Sequence, residues 1–267
     1  MDHERLKRIR NWQSDDWYAA LVMRPLCILV MLVIADWRAV TPNRLTSLAN
    51  VCKLLAAFLI VPGWPAEVGL GEAAGLVAAI VLLQLGLLFD HLDGTVARYR
   101  GVSTSLGSFY DKVSDMVLWF LVCLAVGWRA CVQTGDPLPI VLTTSSAYAL
   151  AVRGYMKWLA HAEGERLRWR EAAADPERVV AERNARPAPA EPPTRTAGEW
   201  ARWLAKMSVQ FYRFEEVDLF FWVGLGLALG RVEWLCWLLF ISQIPGLISM
   251  IVRRGCEVYA VDRGLRR

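Results

Sequence analysis

Apolar residues fall in repeated blocks along the chain, separated by polar or charged stretches. Residues 1–16 are polar and basic, and 17–37 are mostly apolar but contain Arg24 and Pro25. A run at 41–61 opens on Thr41-Pro42-Asn43 and is interrupted by Asn50 and Lys53. The run at 70–89 carries only Glu72 and Gln84 as polar interruptions. Further runs lie at about 111–128, 137–157, 217–230 and 232–252. Crossing hydrocarbon takes about 20 apolar residues as a helix. The pattern predicts an all-α, polytopic integral membrane protein with six transmembrane helices, preceded by an N-terminal amphipathic interfacial helix.

Basic residues orient this arrangement. With residue 41 opening a span on the cytoplasmic side, the connection at 64–71 is outside and holds no Lys or Arg. The turn at 98–106 brings Arg98 and Arg100 inside, and the turn at 129–136 has Arg129 alone. The stretch 159–206 holds nine Lys or Arg, and the tail adds Arg253, Arg254, Arg263, Arg266 and Arg267. Alternation of this kind follows the positive-inside bias and places both ends in the cytoplasm. Residues 17–37 are expected to lie along the interface, because Arg24 is expensive at mid-membrane and Trp12, Trp17, Tyr18 and Trp37 suit headgroup depth.

Five segments follow from this reading. Residues 1–40 form the cytoplasmic N-terminus and interfacial helix, and 41–158 the first four spans. Residues 159–206 are a charged cytoplasmic loop, 207–255 the last two spans, and 256–267 a basic tail. Within the loop, 161–186 is dense enough in charge and alanine to be helical in water. The prolines of 187–193 (Pro-Ala-Pro-Ala-Glu-Pro-Pro) end any helix and read as a tether.

Composition sharpens the picture modestly. The chain has 267 residues, 55% apolar and 21% charged, with 13 tryptophans and a formal charge of +4. Its basic residues flank apolar runs and form no nucleic-acid motif, so an anionic membrane surface is the expected partner rather than nucleic acid. The six cysteines show no CxxC spacing and read as small packing residues.

The chemistry concentrates where the 70–89 run ends. Asp90 and Asp93 are three apart and Asp111 and Asp115 four apart, so each pair shares one face of a helix. Between them Gly101, Ser103 and Ser105 suit a tight reversal, which would bring the carboxylates together. Such a group at a bilayer edge repels itself unless a cation binds. Oxygen-only ligands favour Mg²⁺ or Mn²⁺, with Ca²⁺ as another occupant, and Mg²⁺ commonly works beside phosphate oxygens. Arg98 can hold a phosphate or balance the carboxylates. His91 lies off the carboxylate face and reads as a locally hydrogen-bonded residue.

The pattern Asp90-x₂-Asp93-Gly94-x₂-Ala97-Arg98-x₈-Gly107-x₃-Asp111-x₃-Asp115 resembles the complete signature of the CDP-alcohol phosphotransferase family, with all eight fixed positions present. The element Pro42-Asn43-Arg44-Leu45-Thr46 resembles the family's opening of its first membrane helix. The resemblance covers roughly residues 20–255, apart from the proline-containing loop.

It implies an enzyme of phospholipid synthesis that transfers a substituted phosphate from a CDP-alcohol to an acceptor hydroxyl and releases CMP. Asp90, Asp93, Asp111 and Asp115 would be the metal ligands, with Asp115 near a second ion and also the catalytic base for the acceptor. Asn43, Gly94, Ala97, Arg98 and Gly107 would shape the nucleotide pocket. Lys112, Arg153, Lys157 and Arg213 are candidates for the acceptor. The donor is expected to be CDP-diacylglycerol, with inositol phosphate or glycerol phosphate as acceptor. The opposite arrangement has a soluble CDP-alcohol and a lipid acceptor. The expected setting is the inner (plasma) membrane as a homodimer, with the active site facing the cytoplasm. A membrane prenyltransferase would place its aspartates on widely separated helices, and a transporter would spread polar residues through several spans. Neither pattern is present.

Overall fold

A computed structural model describes residues 3–10, 16–174, 196–210 and 216–263. Among the described residues every regular element is helical. A short helix α1 (His3–Arg10) precedes a π-helical turn, Ala19–Met23, that runs into α2 (Arg24–Ile34). Pro25 sits in the first turn of α2, directly after the π-helical turn. Then come α3 (Pro42–Ile60), the single turn α4 (Trp64–Glu67), α5 (Glu72–Arg100), α6 (Ser105–Thr134) and α7 (Leu138–Ala174). The chain closes with α8 (Ala197–Gln210), α9 (Glu216–Ala228) and α10 (Val232–Asp262).

Local chemistry sets the helix ends. Thr41 caps α3 by accepting from the Arg44 N–H, with Pro42 in the first turn, where its missing donor costs nothing. Gly101 ends α5 in the left-handed region (φ 67°), and Thr104 caps α6 by accepting from the Gly107 N–H at 3.0 Å. Consequently α5 extends eleven residues past the apolar run that ends at 89, and α6 starts six residues before 111. Both aspartate pairs therefore sit on well-formed helix. Likewise α7 continues past 158 to Ala174, so the first part of the expected charged loop is helical. The 187–193 tether lies outside the described residues.

The bundle has α5 flanked by α2, α3 and α9, and α6 flanked by α3, α7 and α10, with α7 also against α10. Its core holds Ala56, Ile60, Leu83, Leu87, Val122, Val126, Leu219 and Leu239. Outward faces are apolar as well: Val77, Val81 and Leu85, four apart on α5, are 62%, 51% and 38% exposed. In water such stripes are unfavourable; against lipid tails they are expected. The protein is all-α and polytopic, and among the described residues three helices, Glu72–Arg100, Ser105–Thr134 and Val232–Ala260, are long and apolar enough to cross a membrane.

Two polar locks hold the bundle ends. At the end away from the aspartates, buried Arg129 donates to the Ile60 carbonyl (2.9 Å) and to Glu72 (3.1 Å), whose other oxygen accepts from the Gly63 N–H (2.7 Å). At the opposite end, the Arg100 guanidinium donates to the carbonyls of Ala35, Trp37 and Val40. Tyr18 donates to Gln84 at 2.6 Å, so residue 18 lies beside 84 and residue 35 beside 100. That register makes α2 follow the aspartate-bearing half of α5 lengthwise. Gly224 and Gly226 of α9 pack within the chain against Gln84 and Leu235.

Candidate metal and nucleotide site

The reversal between α5 and α6 assembles the acidic centre. One carboxylate oxygen each from Asp90, Asp111 and Asp115 lie within 4.8 Å of one another. Opposite oxygens around Mg²⁺ are about 4 Å apart and around Ca²⁺ about 5 Å, from metal–oxygen distances near 2.1 and 2.5 Å. The donor set and its spread therefore fit one hard divalent cation. Asp93 is buried one turn from Asp90, where it accepts a 2.5 Å hydrogen bond from the Thr46 hydroxyl. That bond fixes one Asp93 oxygen toward α3.

A cavity of about 710 Å³ opens beside this centre. Asn43, Gly94, Ala97, Arg98 and Gly107 all line it, together with Asp93 and Asp111. Its volume is within the roughly 300–1,000 Å³ of small-molecule sites. The Arg98 guanidinium folds back over Gly94, so one of the two arginines lining the cavity stands beside the residue that offers least bulk.

The acceptor candidates separate. Lys112 is exposed, its ammonium 3.8 Å from Asp111. Arg153 is buried and donates to Gln243 at 2.6 Å, while its neighbour Gly154 abuts Met116, next to Asp115. Lys157 is exposed one turn further along α7. Arg213 lies outside the described residues.

Three polar residues of α3 were not anticipated as site residues. Thr46, Asn50 and Lys53 recur every three or four positions on one face. Asn50 donates to the Tyr110 hydroxyl at 3.2 Å. Lys53 is buried, with its ammonium 3.0 Å from Asp90 and 2.6 Å from Asp115. The available signal was a lysine inside an apolar run, because a charge at such a position is costly and usually functional.

The site is thus an oxygen-lined centre able to hold a divalent cation, opening into a cavity with a cationic wall and carried by a membrane-type helical bundle. Residues 39–171 match the family model of the CDP-alcohol phosphatidyltransferases, and the chain belongs to that family. It is similar to the phosphatidylinositol phosphate synthases of Mycobacteroides abscessus (33% identical over 132 residues), Corynebacterium glutamicum (27% over 147) and Mycobacterium marinum (30% over 109). These matches cover 44%, 55% and 36% of this chain. They span 60% of the length of the first two relatives and 47% of the third.

Proposed function

We propose that the protein transfers the phosphatidyl group of CDP-diacylglycerol to a hydroxyl of a phosphorylated polyol, inositol phosphate first, and releases CMP. The observation that carries this is the union of the aspartate centre with the Asn43–Arg98–Gly107 cavity, a place for a diphosphate against a metal. The names of the three relatives support inositol phosphate as the acceptor.

Asp90, Asp93, Asp111 and Asp115 would hold Mg²⁺ or Mn²⁺, which when bound supplies charge neutralisation at the diphosphate. Arg98 adds a fixed positive charge on the cavity wall. Asp115 takes the acceptor proton as the acceptor oxygen bonds to the phosphatidyl phosphorus and the phosphoanhydride bond to CMP breaks. Arg153 and Lys157, one turn apart on α7, serve an anionic acceptor. The setting is the inner membrane, with six spans, both ends cytoplasmic, and a homodimer as the assembled form.

Purified protein is given CDP-diacylglycerol, Mn²⁺ or Mg²⁺, and separately inositol phosphate, glycerol phosphate, inositol and serine, with CMP and lipid mass as readouts. CMP release with a phosphatidylinositol phosphate mass is expected. No CMP with any acceptor overturns the donor assignment, and turnover only from a soluble CDP-alcohol and diacylglycerol reverses the roles. Asp115→Asn should cut transfer about 10²–10⁴-fold while nucleotide binding is retained, as loss of a general base does.

A further inference from the structure

The acidic centre has two unlike halves. Asp93 and Asp111 line the open cavity, whereas Asp90 and Asp115 do not and share the Lys53 ammonium at 3.0 and 2.6 Å. Lys53 is only 2% exposed, and its environment is shaped for it. On α5, one turn before Asp90, Gly86 faces the Lys53 stem: a β-carbon there would come within 3.1 Å of Lys53 Cγ and 3.2 Å of the Ala49 carbonyl. A glycine at this crossing therefore makes room for the side chain. From α9 the Phe220 ring comes up beneath the ammonium, which lies 5.5 Å from the ring centre. Carboxylates ahead and an aromatic face below hold the charge on its two aspartates.

We propose that the Lys53 ammonium is the resident cation of the half formed by Asp90 and Asp115, so that this chain takes one divalent ion where the four-aspartate pattern implies two. A divalent ion on the oxygens Lys53 occupies would sit against an ammonium in a poorly screened interior, and the two repel strongly there. A single ion is instead held on the cavity side of the Asp90–Asp111–Asp115 group, with Lys53 fixing Asp90 and Asp115 and with Asp93 lining the same cavity. Lys53 is thus a positioning residue for the metal and for the candidate base. The inference rests on the metal-centre reading above, but not on the identity of the substrates.

The test counts Mn²⁺ bound to the full-length, EDTA-stripped protein by equilibrium dialysis and metal analysis. The variant with all four aspartates changed to asparagine gives the background. Wild type is expected to bind one ion per chain above that background, Lys53→Arg also one, and Lys53→Met two. Two ions on wild type overturn the proposal, as does a folded Lys53→Met that still binds one. The wild-type count decides by itself if Lys53→Met fails to fold. CMP release is assayed in parallel, so a failed transferase reading and a failed ion count are separate results.

Discussion

Thr46 and Lys53 act on the same acidic centre in different ways. Thr46 spends its hydroxyl on Asp93, so that aspartate's orientation depends on a residue of another helix. Groups that orient metal ligands are typically worth about 10–100-fold in metal affinity or activity. Thr46→Val should therefore raise the Mn²⁺ concentration for half-maximal CMP release by about that factor; an unchanged metal dependence would remove Asp93 from the ligand set. Lys53 neutralises rather than orients. Removing one partner of a buried ion pair typically costs about 3–5 kcal/mol, since the other charges are stranded. Metal-free Lys53→Met should unfold at markedly lower temperature than wild type, and saturating Mn²⁺ should restore most of the loss by binding the native state alone. Thermal unfolding in detergent with and without Mn²⁺ measures both; a variant as stable as wild type without metal contradicts the pairing. The convergence of Asp90, Asp111 and Asp115 was legible from spacing because i,i+3 and i,i+4 repeats fix a shared face, whereas Asp93 lies outside that group and is turned to Thr46. Lys53 and Thr46 were not legible, because their partners are 37 to 62 residues away and only helix packing brings them together.

At the scale of elements, Arg129 shows how a charge can mislead an orientation argument. By sequence it is the lone cation of an outer turn, yet it is buried and ties the end of α3 to the start of α5. Arg129→Met leaves the Ile60 carbonyl unpaired, which costs about 1–3 kcal/mol. Glu72→Gln should cost less, under about 1 kcal/mol, because Glu72 is 47% exposed. Melting temperatures of the two variants should fall in that order, and equal losses would mean that the ion pair, not the carbonyl bond, is the lock. Hydropathy located α3, α5, α6, α7, α9 and α10 because each apolar run became a helix. It missed where α5 ends and α6 begins, since Gly101 and Thr104 set the reversal independently of hydrophobicity. It also missed α8, although Thr196 and Glu199 form a capping box there: the Thr196 N–H donates to Glu199 at 2.7 Å, and the Glu199 N–H to the Thr196 hydroxyl. The inclination of α2 was illegible for a different reason. Amphipathicity gives a helix a face, but its direction comes from Tyr18–Gln84 and from the Arg100 bonds.

Across the whole molecule, the family match ends at residue 171, and among the described residues every one lining the cavity or the metal centre precedes it. Replacing residues 175–193 with a Gly/Ser linker should accordingly leave most CMP release intact; loss in a folded protein would give that segment a substrate role. Topology is the more demanding question, because α9 has only 13 residues. At 1.5 Å per residue it is about 20 Å long, against about 30 Å of hydrocarbon, so it crosses only if the bilayer thins or flanking residues extend it. Two reporters decide it. Val68 is exposed in the turn before α5, and Cys256 is exposed near the end of α10. Between them lie α5, α6, α7, α9 and α10, five crossings if each spans and an even four if α9 alone does not. With the other native cysteines replaced, an impermeant maleimide on intact cells should label Val68→Cys. Cys256 should react only after permeabilisation. Labelling of both from outside would show that α9 does not cross. Labelling of Cys256 alone would invert the orientation drawn from the basic residues, and with it the side on which CMP is released.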